Sequence, residues 1–132
     1  MKGTTTQIGH YGEDLAAAHL IQNGFQIVRR NYRVSHNEID IIAENEGYLI
    51  FVEVKTRSVL GADIPSRYGR PSRAVTYEKR ERTLYAARSY LRSHPTEKRA
   101  RMDVIEIYLK SAPNSAPQML KLNWIQNAYR KQ

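Results

Sequence analysis

Residues 38–57 read EIDIIAENEGYLIFVEVKTR, and this stretch decides the fold. Its two arms, 38–43 and 48–56, are rich in β-branched and aromatic residues, the composition of strands. Between them Glu44-Asn45-Glu46-Gly47 supplies the polar and flexible residues of a hairpin connection. The second arm is apolar on both faces (Leu49, Ile50, Phe51, Val52, Val54), which places it centrally in a sheet covered on both sides. Side chains alternate across a strand, so Glu53 and Lys55 share one face, and Glu38 and Asp40 share a face on the neighbouring arm. A turn at 44–47 pairs residues whose numbers sum to about 91, setting Asp40 beside Phe51 and Glu53 opposite Glu38.

Charged groups in the middle of an apolar sheet are costly unless paired, hydrated or bound to a cation. Carboxylates as close as Glu38, Asp40 and Glu53 repel one another, and a cation relieves that repulsion. Their hard oxygens select Mg²⁺ or Mn²⁺ over zinc. A lysine two residues from a ligand carboxylate can orient or activate an attacking water, or stabilise charge on a phosphate. The residues alone leave a second reading open, in which Glu53 and Lys55 form an ion pair on an edge strand.

Working outward, residues 7–23 contain good helix formers (Leu15, Ala16, Ala17, Ala18, Leu20) and end at Gly24, the residue expected just past a helix C-terminus. Residues 25–34 read as a strand. Residues 57–73 form a long Gly-, Pro- and Arg-bearing loop, and loops of that length are commonly functional. A second helix is expected over 74–93, with Tyr77, Leu84 and Leu91 on its apolar stripe and Pro95 just beyond. A strand over 102–109, a Pro/Ser/Asn turn and a short strand at 119–122 complete the chain. The predicted class is α/β, in the order αβββαβ plus a short C-terminal strand, with helices flanking a central mixed sheet. At 132 residues, the expectation is one domain over 1–132.

Composition narrows the function. Net charge is +8 and the pI about 9.9, a balance suited to a polyanionic partner such as nucleic acid. Basic residues cluster at Arg29, Arg30 and Arg33, at Arg67, Arg70 and Arg73, and at Lys79, Arg80 and Arg82. Of these, Arg67, Arg70, Arg73 and Lys79, together with Arg57 on the Glu53–Lys55 face, are the expected nucleic-acid contacts. With no cysteine, disulfides and thiolate metal sites are excluded. The four histidines lack metal-ligand spacing. No segment reads as a signal peptide or a membrane span, so a cytoplasmic protein without membrane attachment is expected.

The segments NEIDIIA (37–43) and LIFVEVKTR (49–57) resemble the D…E-x-K signature of PD-(D/E)XK nucleases, and especially archaeal Holliday-junction resolvases. More closely, the chain resembles the uncharacterised bacterial YraN-like family. The resemblance rests on Gly9, Gly12 and Glu13; on residues 38–40; on VEVKTR at 52–57; on Gly69, Pro71, Ala74 and Val75; and on Arg101, Asp103 and Val104. Asn37 departs from the pattern, which usually has glycine before EID. The resemblance implies a restriction-endonuclease-like core with Asp40 and Glu53 as catalytic metal ligands, joined by the Val54 carbonyl. It implies Lys55 as the catalytic lysine and Glu13 as a helix carboxylate at the site. The expected function is a Mg²⁺- or Mn²⁺-dependent endonuclease acting on DNA, including branched DNA, and by analogy with junction resolvases a homodimer. The competing expectation is a non-catalytic nucleic-acid-binding module on the same fold. Asp103, following Arg101 at a strand start, is expected to be a structural ion pair, and Arg57 is a candidate partner of Glu38.

Overall fold

The computed structural model describes residues 5–59, 77–111 and 114–129. Helix α1 (Thr5–Gln22) leads into three antiparallel strands, β1 (Gln26–Val34), β2 (Asn37–Glu44) and β3 (Tyr48–Val59). Helix α2 (Tyr77–Ser93) follows, then β4 (Arg99–Lys110) and β5 (Gln118–Tyr129). The five strands form one sheet in sequence order, with β3 and β4 parallel and the other neighbours antiparallel. A parallel pair needs a long crossover, and α2 lies within it. The mixed α/β architecture expected from the sequence is therefore present. No described helix is long and apolar enough to cross a membrane.

The two faces of the sheet carry separate cores, one under each helix. Ala16, Ala17 and Leu20 of α1 pack with Ile41, Ala43, Ile50, Val52, Ile105, Ile107 and Leu109. Leu84, Ala86, Ala87 and Tyr90 of α2 pack with Ile42, Phe51, Met102 and Val104 on the other side. Five consecutive residues of β3, Leu49 to Glu53, are buried, as its continuous apolar run requires of a central strand. α1 ends on Gly24 at φ 88°, with Phe25 N–H donating to Leu20 C=O (3.0 Å) and Gly24 N–H to Ile21 C=O (3.1 Å). That is the paired-bond stop a left-handed glycine makes possible.

Several expectations need correction. The hairpin turn lies at 45–48, because Asn45 Oδ1 accepts from Gly47 N–H (3.0 Å) and Tyr48 N–H (2.8 Å) and closes the loop one residue later. The pairs run from Glu44–Leu49 to Ile41–Val52, so the sum is 93 and not about 91. A shift of two leaves every side chain on its expected face but moves Asp40 away from Phe51 and towards Glu53. Strand β3 continues to Val59, so Arg57 to Val59 are strand residues, held by pairing to Tyr108, Leu109 and Lys110. The rest of the expected loop, with Arg67, Arg70 and Arg73, lies outside the described residues, as do Gly69, Pro71, Ala74 and Val75. Tyr77 is 74% exposed and takes no part in the α2 core, whose buried face is Thr83, Leu84, Ala86, Ala87 and Tyr90. The last strand spans 12 residues, well beyond 119–122. Its half-buried side chains and the left-handed Asn127 (φ 54°) blur the alternation that marks a strand.

Candidate functional site

Strand β3 presents Glu53, Lys55 and Arg57 in a row on the face covered by α2, the face that Phe51 occupies one step earlier. Asp40 reaches this row from β2: its Oδ2 accepts the Val54 N–H at 2.8 Å. That bond fixes the carboxylate against the backbone joining Glu53 to Lys55. Burial, helped by the charges of Glu13, Glu53 and Glu38, raises the Asp40 carboxyl to about 7 against the downward pull of the Val54 N–H. Asn31 sits opposite Asp40, between the pairs Arg30–Ile41 and Tyr32–Ile39, in a left-handed conformation (φ 54°). Local irregularity of this kind is a common way to re-aim a side chain beside a site.

Glu53 is buried, with 5% exposure, and its Oε2 has no hydrogen-bond partner among the described residues. Its Oε1 is approached by two ammonium groups, Lys55 Nζ at 3.6 Å and Lys79 Nζ in direct contact. Burial lowers the pKa of Lys55, Glu53 opposes this, and neighbouring Lys79 adds to the lowering. Burial also disfavours the Lys79 ammonium, but its contact with Glu53 outweighs that and holds it above the usual lysine range. Lys79, expected as a nucleic-acid contact, is thus placed inside the cluster. A cavity of about 200 Å³ opens here, lined by Asp40, Glu53, Lys79, Thr83, Glu38 and His36 among others. A larger cavity of about 510 Å³, lined by Phe51, Leu84, Leu91 and Met102, contains none of these charged groups.

Glu13 comes from α1 on the opposite face. It pairs with Arg30 at 3.5 Å, and Asp14 takes the same guanidinium at 2.8 Å. The helix can come this close because residue 12 is glycine: a Cβ there would stand 2.0 Å from Thr56 Oγ1. Glu38 pairs with Arg33 at 2.6 Å and not with Arg57. Arg57 meets Glu106, with Nε 3.7 Å from Oε2. Asp103 is structural as expected, fully buried and bonded by Arg101, Trp124 Nε1 and Asn127 N–H, each at 2.9 Å.

Glu106 escaped the sequence reading. It is register partner to Lys55 on β4, has 0% exposure, and neither carboxylate oxygen has a hydrogen bond among the described residues. The signal was present, since Val104-Ile105-Glu106-Ile107-Tyr108 sets one charge in an apolar run just as residues 49–54 do. Among the described residues, no three His, Cys, Asp or Glu side chains converge as a complete metal cage.

The fold and cluster together define a mixed α/β protein with carboxylates and lysines gathered at a central strand. The family model of an uncharacterised protein family, UPF0102, matches residues 12–107, a span containing Glu13, Asp40, Glu53, Lys55, Lys79 and Glu106. A UPF0102 protein of Chlorobium phaeobacteroides (strain DSM 266) is 38% identical over 131 residues, 98% of each chain. Another, from strain BS1 of that species, is 42% identical over 123 residues, 92% of this chain and 93% of its own. One from Rhodococcus opacus is 41% identical over 107 residues, covering 80% and 86%. The chain belongs to the UPF0102 family.

Proposed function

We propose that this protein is a Mg²⁺- or Mn²⁺-dependent phosphodiesterase of the PD-(D/E)XK type that acts as an endonuclease on DNA, branched DNA included. The observation carrying this reading is the junction of Asp40 with the Glu53–Val54–Lys55 segment through the Val54 N–H. The order α1-β1-β2-β3-α2-β4, with β3 antiparallel to β2 and parallel to β4, supports a restriction-endonuclease-like core.

The donor set fits a divalent cation. Two carboxylates, one with an unpartnered buried oxygen, together with the Val54 carbonyl suit a hard ion that retains several waters. Asp40, Glu53 and the Val54 carbonyl would hold such an ion, which would supply polarisation of a phosphate oxygen and a more acidic water. The protein's own groups do the rest. Lys55 orients the attacking water or stabilises charge at the phosphate, and its partly buried ammonium makes that interaction strong. Arg57, one position pair along the strand, offers a guanidinium to the substrate backbone. A homodimer supplies two such sites for two strands of a branched substrate.

One observation favours the second reading, a nucleic-acid-binding module without turnover: Lys55 and Lys79 already neutralise Glu53 with no metal. The test is purified protein with Mn²⁺ or Mg²⁺ against linear, nicked, flapped and four-way DNA, beside Asp40→Asn, Glu53→Gln and Lys55→Ala. Cleavage by the wild type alone is expected, with Mn²⁺ raising its melting temperature. No cleavage and no metal-linked stabilisation at millimolar Mn²⁺, with or without DNA, would end the nuclease reading. Binding that weakens steeply with salt would then leave the module.

A further inference from the structure

Glu53 has more cations than it needs. One ammonium neutralises a carboxylate; two on the same oxygen add like-charge repulsion and a second desolvation. Lys79 is the surplus one. It stands in the first turn of α2, and its side chain is 40% exposed, against 25% for Lys55. Lys55 is held on a central strand by the β3–β4 ladder, whereas Lys79 has solvent to move into. Lys79 also feels the charge of Asp40, and both carboxylates line the same 200 Å³ cavity. At roughly 30 Å³ per water, that space takes a cation with several of its waters. Glu53 Oε2, on a side chain more than nine-tenths buried, remains an unpartnered acceptor there.

We propose that Lys79 is a built-in counter-cation: its ammonium holds the place between Glu53 and Asp40 in the metal-free protein, and a divalent ion entering that place expels it onto the phosphate backbone of bound DNA. This rests on the metal-dependent reading above. It separates the two lysines by task, Lys55 remaining at the reacting phosphate and Lys79 leaving for the backbone. Two consequences follow from competition for one carboxylate. Metal binds less tightly than the carboxylates alone allow, because the Lys79–Glu53 contact must break first. Lys79 contributes to DNA affinity only when metal is present.

The experiment is calorimetric titration of Mn²⁺ into the metal-free wild type, Lys79→Met and Lys79→Gln, with melting curves to establish folding. A parallel titration follows a fluorescent DNA duplex with and without Ca²⁺, chosen to avoid turnover. Both variants are expected to bind Mn²⁺ about tenfold more tightly than wild type, the pair being less exposed than a surface ion pair. They should match wild-type DNA affinity without metal and fall below it with Ca²⁺, losing about one phosphate contact from the salt slope. Unchanged or weaker Mn²⁺ binding in folded variants would overturn the displacement while leaving the nuclease reading intact. So would an equal loss of DNA affinity with and without metal. No Mn²⁺ binding by wild type or either variant would overturn both.

Discussion

Replacing Gly12 by alanine tests how α1 is seated against the sheet. In a helix interior this change ordinarily stabilises by about 1 kcal/mol, since alanine is the better helix former. Here the added Cβ would lie 2.0 Å from Thr56 Oγ1 and 3.0 Å from both Thr56 Cβ and Cγ2. Rotating Thr56 about χ1 moves Oγ1 but leaves its Cβ at 3.0 Å, so the helix itself must retreat from β3. Overpacking of this kind costs about 1–3 kcal/mol, against which the propensity gain of about 1 kcal/mol counts. Gly12→Ala should therefore lose roughly 1–2 kcal/mol, read by urea unfolding as a lower midpoint at unchanged m. Thr56→Ala removes Oγ1 and Cγ2 but keeps the Cβ at 3.0 Å, so the double variant should recover only part of the loss, with a coupling of about 1 kcal/mol. A Gly12→Ala protein as stable as wild type, or effects that simply add, would refute the close approach and the argument that glycine brings Glu13 to the site.

Asp40→Asn should remove a specific pH dependence. The folded protein keeps the Asp40 proton up to about pH 7, the unfolded chain sheds it near 3.8, and between these values the folded state binds more protons. Stability from this group therefore falls as pH rises through that window, by at most about 4 kcal/mol at 1.36 per unit. The metal-free variant should be the more stable at pH 8, with a difference from wild type that vanishes below pH 4; parallel curves would contradict the burial of Asp40. Arg57→Met and Glu106→Gln should differ although they break the same pair. Glu106 cannot reach water, so losing Arg57 strands a buried carboxylate at about 3 kcal/mol, whereas Arg57 is one-third exposed and can turn to solvent, leaving about 1 kcal/mol for the glutamine change. Equal losses in chemical denaturation would show that the pair does not anchor the β3–β4 seam.

The hairpin and the central strand were legible because both depend on local signals, apolar runs broken by a polar turn. The register was missed by two because the Asn45 side chain, and not turn length alone, sets where the loop closes. The error kept the faces right, which is why Asp40, Glu53 and Lys55 were still assigned to one patch. What the sequence could not give was the neighbour across the parallel edge. The hairpin offers Arg57 only Glu38 as a candidate partner, whereas Glu106, which it meets at 3.7 Å, arrives on β4 after the α2 crossover, a pairing no local pattern encodes. Lys79 is expected from sequence only as a nucleic-acid contact for the same reason: the first turn of α2 meets Glu53 only through tertiary packing. Asp103 was read correctly because Arg101, its main partner, is two residues away.

The parallel seam also bears on how the molecule is made. The antiparallel neighbours β1–β2, β2–β3 and β4–β5 are each joined by short connections and can pair early in folding. Tyr48 pairs with Arg99 across a chain separation of about 50 residues, so joining β3 to β4 must first meet a larger loop-closure entropy. Asp40, Glu53 and Lys55 lie on one side of that seam, and Glu106 on the other. Val52 and Ile105, buried within the α1-side core on the two seam strands, should then govern the refolding rate as well as stability. Until β4 has been synthesised, the hairpin that carries Asp40 and Glu53 lacks its neighbour along the second edge of β3, and the candidate site is complete only once that seam has closed.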